Sequence, residues 1–176
     1  MRKATIAAAF VLICGLAAFA QDGYKAEVFG GYQFTRVNPG DGLSGVNFNG
    51  WNASVTGNVK SWLGVTADFS GGYKSVSGAS AHVHNFLFGP TLSYNKLDHF
   101  KPFVHTLFGV SHASGAIDTV GSASDNAFAM ALGGGVDAGI TRHIALRLVQ
   151  ADYLMTRFQS TNQNNARIST GVVFRF

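Results

Sequence analysis

From residue 24 onward, apolar and polar side chains alternate in short runs separated by turn-rich segments. Tyr24, Ala26, Val28, Gly30, Tyr32 and Phe34 share one parity; Lys25, Glu27, Gly31, Gln33 and Thr35 share the other, with Phe29 among them. Successive side chains of a strand point to opposite faces, so this run predicts a strand with one apolar and one polar face. Trp51, Ala53, Val55, Gly57 and Val59 repeat the pattern against Asn52, Ser54, Thr56 and Asn58. Leu63, Val65, Ala67, Phe69 and Tyr73 do so against Thr66, Asp68, Ser70 and Lys74. Eight strands are expected, at roughly 24–36, 46–59, 63–76, 82–95, 102–115, 127–140, 144–158 and 167–176. Each is long enough for the ~9–11 residues that a tilted membrane-spanning strand needs.

Three runs need separate treatment. "PFVHTLFGVSH" is apolar on both parities, and Val104, Phe108 and Val110 are expected outward. "IALRLVQADYLMTRF" changes phase, because Leu146 and Leu148 share parity with Gln150 and Asp152. A β-bulge between Arg147 and Gln150 would restore the alternation. "LGGGVDAG" lies inside the sixth strand and opens no helix, so its glycines are read as easing curvature or close packing, and not as a phosphate loop.

The connections alternate in length. "KSW", "KLDHF" and "TRH" are tight, whereas "VNPGDGLSG", "SGASA", "AIDTVGSASD" and "QSTNQNNA" are polar and longer on average. Short turns on one side and longer loops on the other are the pattern of an outer-membrane barrel. Aromatics sort by height into two belts: Tyr24, Trp62, Tyr94, Phe174 and Phe176 at one end, and Phe34, Trp51, Tyr73, Phe86 and Phe158 at the other. The final stripe of Ile168, Val172, Phe174 and Phe176 then makes sense if lipid covers it and the last strand pairs with the first.

Composition agrees. Only 12% of residues are charged and 22 are glycine, against ~25% charged in soluble domains. "MRKATIAAAFVLICGLAAFA" has a basic start, an apolar middle and small residues at Ala18 and Ala20. It is expected to be a cleavable signal peptide, 1–20, leaving a barrel domain at 21–176. After it, no segment approaches the ~18 apolar residues of a membrane helix. Cys14, the only cysteine, would leave with the signal, so no thiol or disulfide chemistry is expected. Loss of Arg2 and Lys3 leaves 11 basic against 9 acidic residues with no clustered patch, which excludes a nucleic-acid partner.

With the signal, the eight strands, the penultimate "RLVQADYLMTRF" and the closing "ISTGVVFRF", the chain resembles the small OmpA/OmpX-like outer-membrane β-barrel domains. The resemblance implies an all-β, eight-stranded antiparallel up-and-down transmembrane barrel in a Gram-negative-type outer membrane. It implies contact with outer-membrane lipid and recognition by the assembly machinery through Val172, Phe174 and Phe176. It covers the barrel only, so the peptidoglycan-binding role of OmpA itself is not expected to carry over, and it implies a monomer with a structural, envelope-integrity or surface-interaction role.

An eight-stranded barrel is filled by side chains, so inward charges must pair. Lys25, Glu27, Asp68, Lys74, Asp137, Asp152 and Arg175 are expected to form a polar lumen network without a wide pore. His82 and His84 share a face but lack a third ligand, so they are read as a solvated loop edge; no metal and no cofactor is expected. His112 and Ser114 have the His-x-Ser spacing that resembles lipid A deacylases, which are barrels of similar size. The resemblance is partial, since Gly115 stands where that family has Asn, and no acid is placed to orient the histidine. The expectation is therefore no enzyme, with a lipid-modifying barrel or a soluble lipocalin-like carrier as alternatives. The carrier would need the apolar parity to face inward.

Overall fold

A computed structural model describes residues 24–38, 45–76, 79–117, 121–158 and 161–176. The expected signal segment, its cleavage point, Cys14 and the tips of the far-end loops lie outside these residues.

Eight strands follow one another: β1 (Ala26–Val37), β2 (Val46–Lys60), β3 (Leu63–Val76), β4 (Ala79–Ser93), β5 (Phe100–Ile117), β6 (Gly121–Gly139), β7 (Ile144–Phe158) and β8 (Thr161–Arg175). Each pairs antiparallel with the next and β8 pairs with β1, closing the barrel. Closure reaches the last residues: Lys25 N donates to Phe176 O at 2.7 Å, and Phe176 N to Ala26 O at 2.9 Å. A closed cylinder leaves no unpaired sheet edge. No described residue is helical.

The apolar parity faces outward. Phe86, Phe88, Val104, Phe108, Val110, Phe128, Leu132, Ile168, Val172 and Phe174 are exposed on the outer surface. Gln33, Asn52, Asp68, Asn85, Asp137, Gln150, Asp152 and Arg167 are buried inside. This inverts the arrangement a lipocalin-like carrier requires. The lumen is not purely polar, because Phe29, Phe48, Leu87, Phe103, Leu107, Leu154 and Val173 also point inward.

The bulge falls where the phase change predicts it. The β7–β8 register shifts between Arg147 and Gln150, and Leu148 and Val149 both face out. Arg147 and Gln150, three positions apart, therefore both face in, which an unbroken strand forbids.

The strands run further than the apolar stripe. β5 has 18 residues and β6 has 19, well past the ~9–11 that span a bilayer. The surplus lies at the end away from the termini, here the crown; the end with the termini is the base. The expected long loops shrink accordingly. Residues 77–78, 118–120 and 159–160 alone separate three of the crown hairpins, and much of "SGASA", "AIDTVGSASD" and "QSTNQNNA" is strand. The period-two stripe fades there because neither face needs to be apolar, yet backbone pairing continues across the ladder.

Candidate functional site in the barrel lumen

The base half of the lumen is built around three arginines. Arg147 donates from Nε and Nη2 to the two oxygens of Asp137, at 2.8 and 3.2 Å, and from Nη1 to Gln150 Oε1 at 2.7 Å. Its guanidinium sits between the rings of Phe29 and Phe103, 4.2 and 4.3 Å from their centroids. Flat, delocalised and always charged, Arg suits both the fork and the stacking. The bulge in β7 is what turns this side chain and Gln150 into the same space.

Gln150 Nε2 donates to Asp152 Oδ2 at 2.8 Å, and Asp152 links onward to Arg167. Arg167 is fully buried. Its Nη1 donates to Asp68 Oδ1 at 2.7 Å and to Ser70 Oγ at 3.2 Å; its Nε donates to Asp152 Oδ2 at 2.8 Å. Nη2 lies 2.7 Å from the same Asp152 oxygen but off the hydrogen-bond axis, so Nε carries the bond and Nη2 adds charge contact only. His105 Nε2 meets the other Asp152 oxygen at 2.8 Å, and Asn52 Nδ2 donates to Asp68 Oδ2 at 2.8 Å.

Nearer the base, Lys101 donates to Glu27 at 2.5 Å. Arg175 stands 3.6 Å from Glu27 and 3.9 Å from Asp137, beyond hydrogen-bond reach, and lies over the Tyr24 ring. Among the described residues, the buried charged ones are thus Lys101, Arg147, Arg167 and Arg175 against Glu27, Asp68, Asp137 and Asp152. Acids and bases balance, which lowers the cost of burying them.

Glycine makes the room. A Cβ on Gly133 would overlap Asp152 Oδ1 and the Ala151 carbonyl, and one on Gly135 would come within 2.9 Å of Phe103 Cζ. Gly133 and Gly135 are close-packing positions against the plug, while Gly134 packs against Val104.

Of the expected lumen residues, Glu27, Asp68, Asp137, Asp152 and Arg175 are brought together. Lys25 is not: it precedes β1 and is exposed at the base, where parity no longer confers burial. Lys74 is half-buried near the crown end of β3 and joins none of the lumen ion pairs. Lys101, His105, Arg147, Gln150 and Arg167 join the network beyond the residues expected from the sequence. Arg147 and Gln150 carried a signal in the phase change. Arg167 shares the parity of Ser169, Gly171, Val173 and Arg175, and that alone could have found it.

Above the plug the lumen opens into a cavity of about 610 Å3. Its lining includes Gln33, Phe48, Val83, Asn85, Ser111 and Leu154.

On the outside near the crown, polar side chains link in a belt. Tyr32 donates to Asn49 at 2.6 Å, Trp51 Nε1 to Tyr73 at 3.2 Å, and Tyr153 to Asn164 at 2.7 Å. His82 and His84 are not at a loop edge. They lie within β4, their rings edge-on to Tyr73 at 5.4 and 5.7 Å. His112 Nδ1 is paired with the side-chain oxygen of Asn126 at 2.8 Å, the place where a triad would hold an acid. Ser114 pairs in register with His82 and Ser124. Among the described residues no three His, Cys, Asp or Glu side chains form a metal-binding group. Val172 and Phe174 face outward on β8, and Phe176 is exposed at the base.

A closed eight-stranded cylinder, apolar outside and ion-paired inside, defines a transmembrane β-barrel. The chain belongs to the outer membrane protein beta-barrel domain family, whose model matches residues 6–176. Solved structures of similar fold include Neisserial surface protein A, 13% identical with a TM-score of 0.74, covering 89% of this chain and 100% of that one. The attachment invasion locus protein Ail of Yersinia pestis is 16% identical with a TM-score of 0.61, covering 87% and 100%. The N-terminal barrel of Pseudomonas aeruginosa OprF is 11% identical with a TM-score of 0.56, covering 88% and 100%. No curated protein sequence matches significantly.

Proposed function

We propose that this protein is a monomeric, non-conducting outer-membrane barrel whose role is structural or surface-interactive. It holds a rigid, plugged cylinder in the lipid and presents its extended crown to the outside. The observation that carries the reading is the Arg167–Asp68–Asp152 cluster, buried across the lumen within a network of four buried bases and four buried acids among the described residues. An ion path would need free or hydrated charges there. Planar-bilayer recording of the purified protein is expected to show no steady openings; sustained large conductance would refute the plug. The names of two fold neighbours, a surface protein and an attachment invasion locus protein, accord with a surface role.

Export follows from the signal segment at 1–20, and membrane insertion from the outward stripe of Val172, Phe174 and Phe176, read by the assembly machinery. Unheated samples in detergent are expected to migrate differently from boiled ones, as folded barrels do. The proposed role is not catalytic: among the described residues no hydrogen bond joins Ser114 to His112, whose Nδ1 is paired with the Asn126 side-chain oxygen. Release of fatty acid from lipid A by the wild type, lost in Ser114→Ala, would overturn that.

A further inference from the structure

We propose that the crown half of the lumen is a blind binding pocket for a small, uncharged amphiphile with hydroxyl or N–H donors at one end. The cavity, about 610 Å3, lies within the ~300–1,000 Å3 typical of small-molecule sites. Phe48, Val83 and Leu154 supply apolar wall. Toward the plug the lining turns polar. Asn85 Nδ2 donates to Ser70 Oγ, the same oxygen that takes a bond from Arg167. Gln33, Asn85 and Ser111 are each more than nine-tenths buried, yet Gln33 Oε1, Asn85 Oδ1 and Ser111 Oγ make no hydrogen bond among the described residues. All three residues line this one cavity.

Buried polar atoms are nearly always satisfied, so three unmet oxygens around one cavity are the complement of a ligand's donors. Anionic charge is disfavoured by the same surroundings. The acids and bases of the plug satisfy one another, so an anion would find no free cation there, and Asp125 adds a carboxylate to the lining. The plug closes the base side, and Ser114 and Ser124 line the cavity toward the crown.

The test is NMR titration of the isotope-labelled barrel in lipid nanodiscs with 1-naphthol, an uncharged aromatic alcohol, and 1-naphthoate as its anionic counterpart. Saturable shifts are expected at the amides of Phe48, Val83, Ser111 and Leu154. Naphthoate is expected to bind at least about tenfold more weakly, a difference of roughly 1.4 kcal/mol. Ser111→Phe, which fills the pocket, should abolish the shifts, and Asn85→Leu should weaken binding about tenfold. Mobility of unheated samples confirms that each variant is folded. Shifts confined to lipid-facing Phe86, Phe108 and Leu132 and unchanged in both variants would mean partition into the bilayer and overturn the proposal. Equal affinity for naphthoate, or no shift at millimolar naphthol, would also overturn it.

Discussion

Replacing Arg167 by methionine removes the one cation shared by Asp68 and Asp152. Two charge-assisted hydrogen bonds to carboxylates disappear, at 2.7 and 2.8 Å, together with a third bond to Ser70. Taken singly, charge-assisted bonds net ~1.5–3 kcal/mol, but they share one guanidinium and do not simply add. The larger effect is what remains: two carboxylates inside the barrel, one keeping Asn52 and the other His105 and Gln150, with no arginine between them. Removing one partner of a buried pair costs ~3–5 kcal/mol, a large share of the ~5–15 kcal/mol of a whole domain. Urea unfolding from lipid vesicles, followed by fluorescence of the exposed Trp51 and Trp62, measures it at both ends of the barrel. Arg167→Lys should lose less, ~1–2 kcal/mol, because an ammonium keeps the charge but not the fork. Arg167→Met combined with Asp68→Asn and Asp152→Asn should recover most of the loss, since a neutral replacement of an ion pair is often tolerated. A single-variant loss below ~1 kcal/mol, or a triple variant no better than the single, would refute the plug as a coupled unit.

Gly133→Val should block folding and abolish the heat-dependent mobility shift, whereas Gly30→Val, where an added Cβ meets nothing within 4 Å, should fold normally. Leu132→Arg, on the exposed outer face, should cost ~2–4 kcal/mol in vesicles if lipid covers that face; a cost within ~0.5 kcal/mol would mean water does. Deleting Leu148 leaves Arg147 and Gln150 two positions apart, so a regular strand keeps both facing in; assembly into vesicles and the heat-dependent mobility shift should persist, and failure to assemble would show that the bulge itself is required. Wild-type protein should give no steady current in planar bilayers, and sustained openings would count against the sealed lumen.

What was legible beforehand was whatever the pleat of a single strand dictates. Val104, Phe108 and Val110 could be placed outward, and Arg147 and Gln150 flagged for a bulge, from parity alone. Lys25 shows the limit: its parity was right, but it lies outside β1, where facing the polar side no longer means being inside. The crown extensions escaped for a related reason. In Ala79–Ser80 or Ala116–Ile117 no apolar stripe marks the strand, and only the neighbouring ladder holds it.

Alternation along the chain therefore determined the number of strands, their closure into a cylinder and the side of each that meets lipid, because side-chain direction is a local property of extended backbone. The tertiary structure alone decided which charges meet. Arg167 reaches Asp68, 99 residues away, because the tilt and stagger of a closed barrel bring β8 and β3 face to face across the lumen. The same packing, with glycine opposite Asp152 and unsatisfied oxygens around the cavity, settled where the barrel is plugged and where it is open.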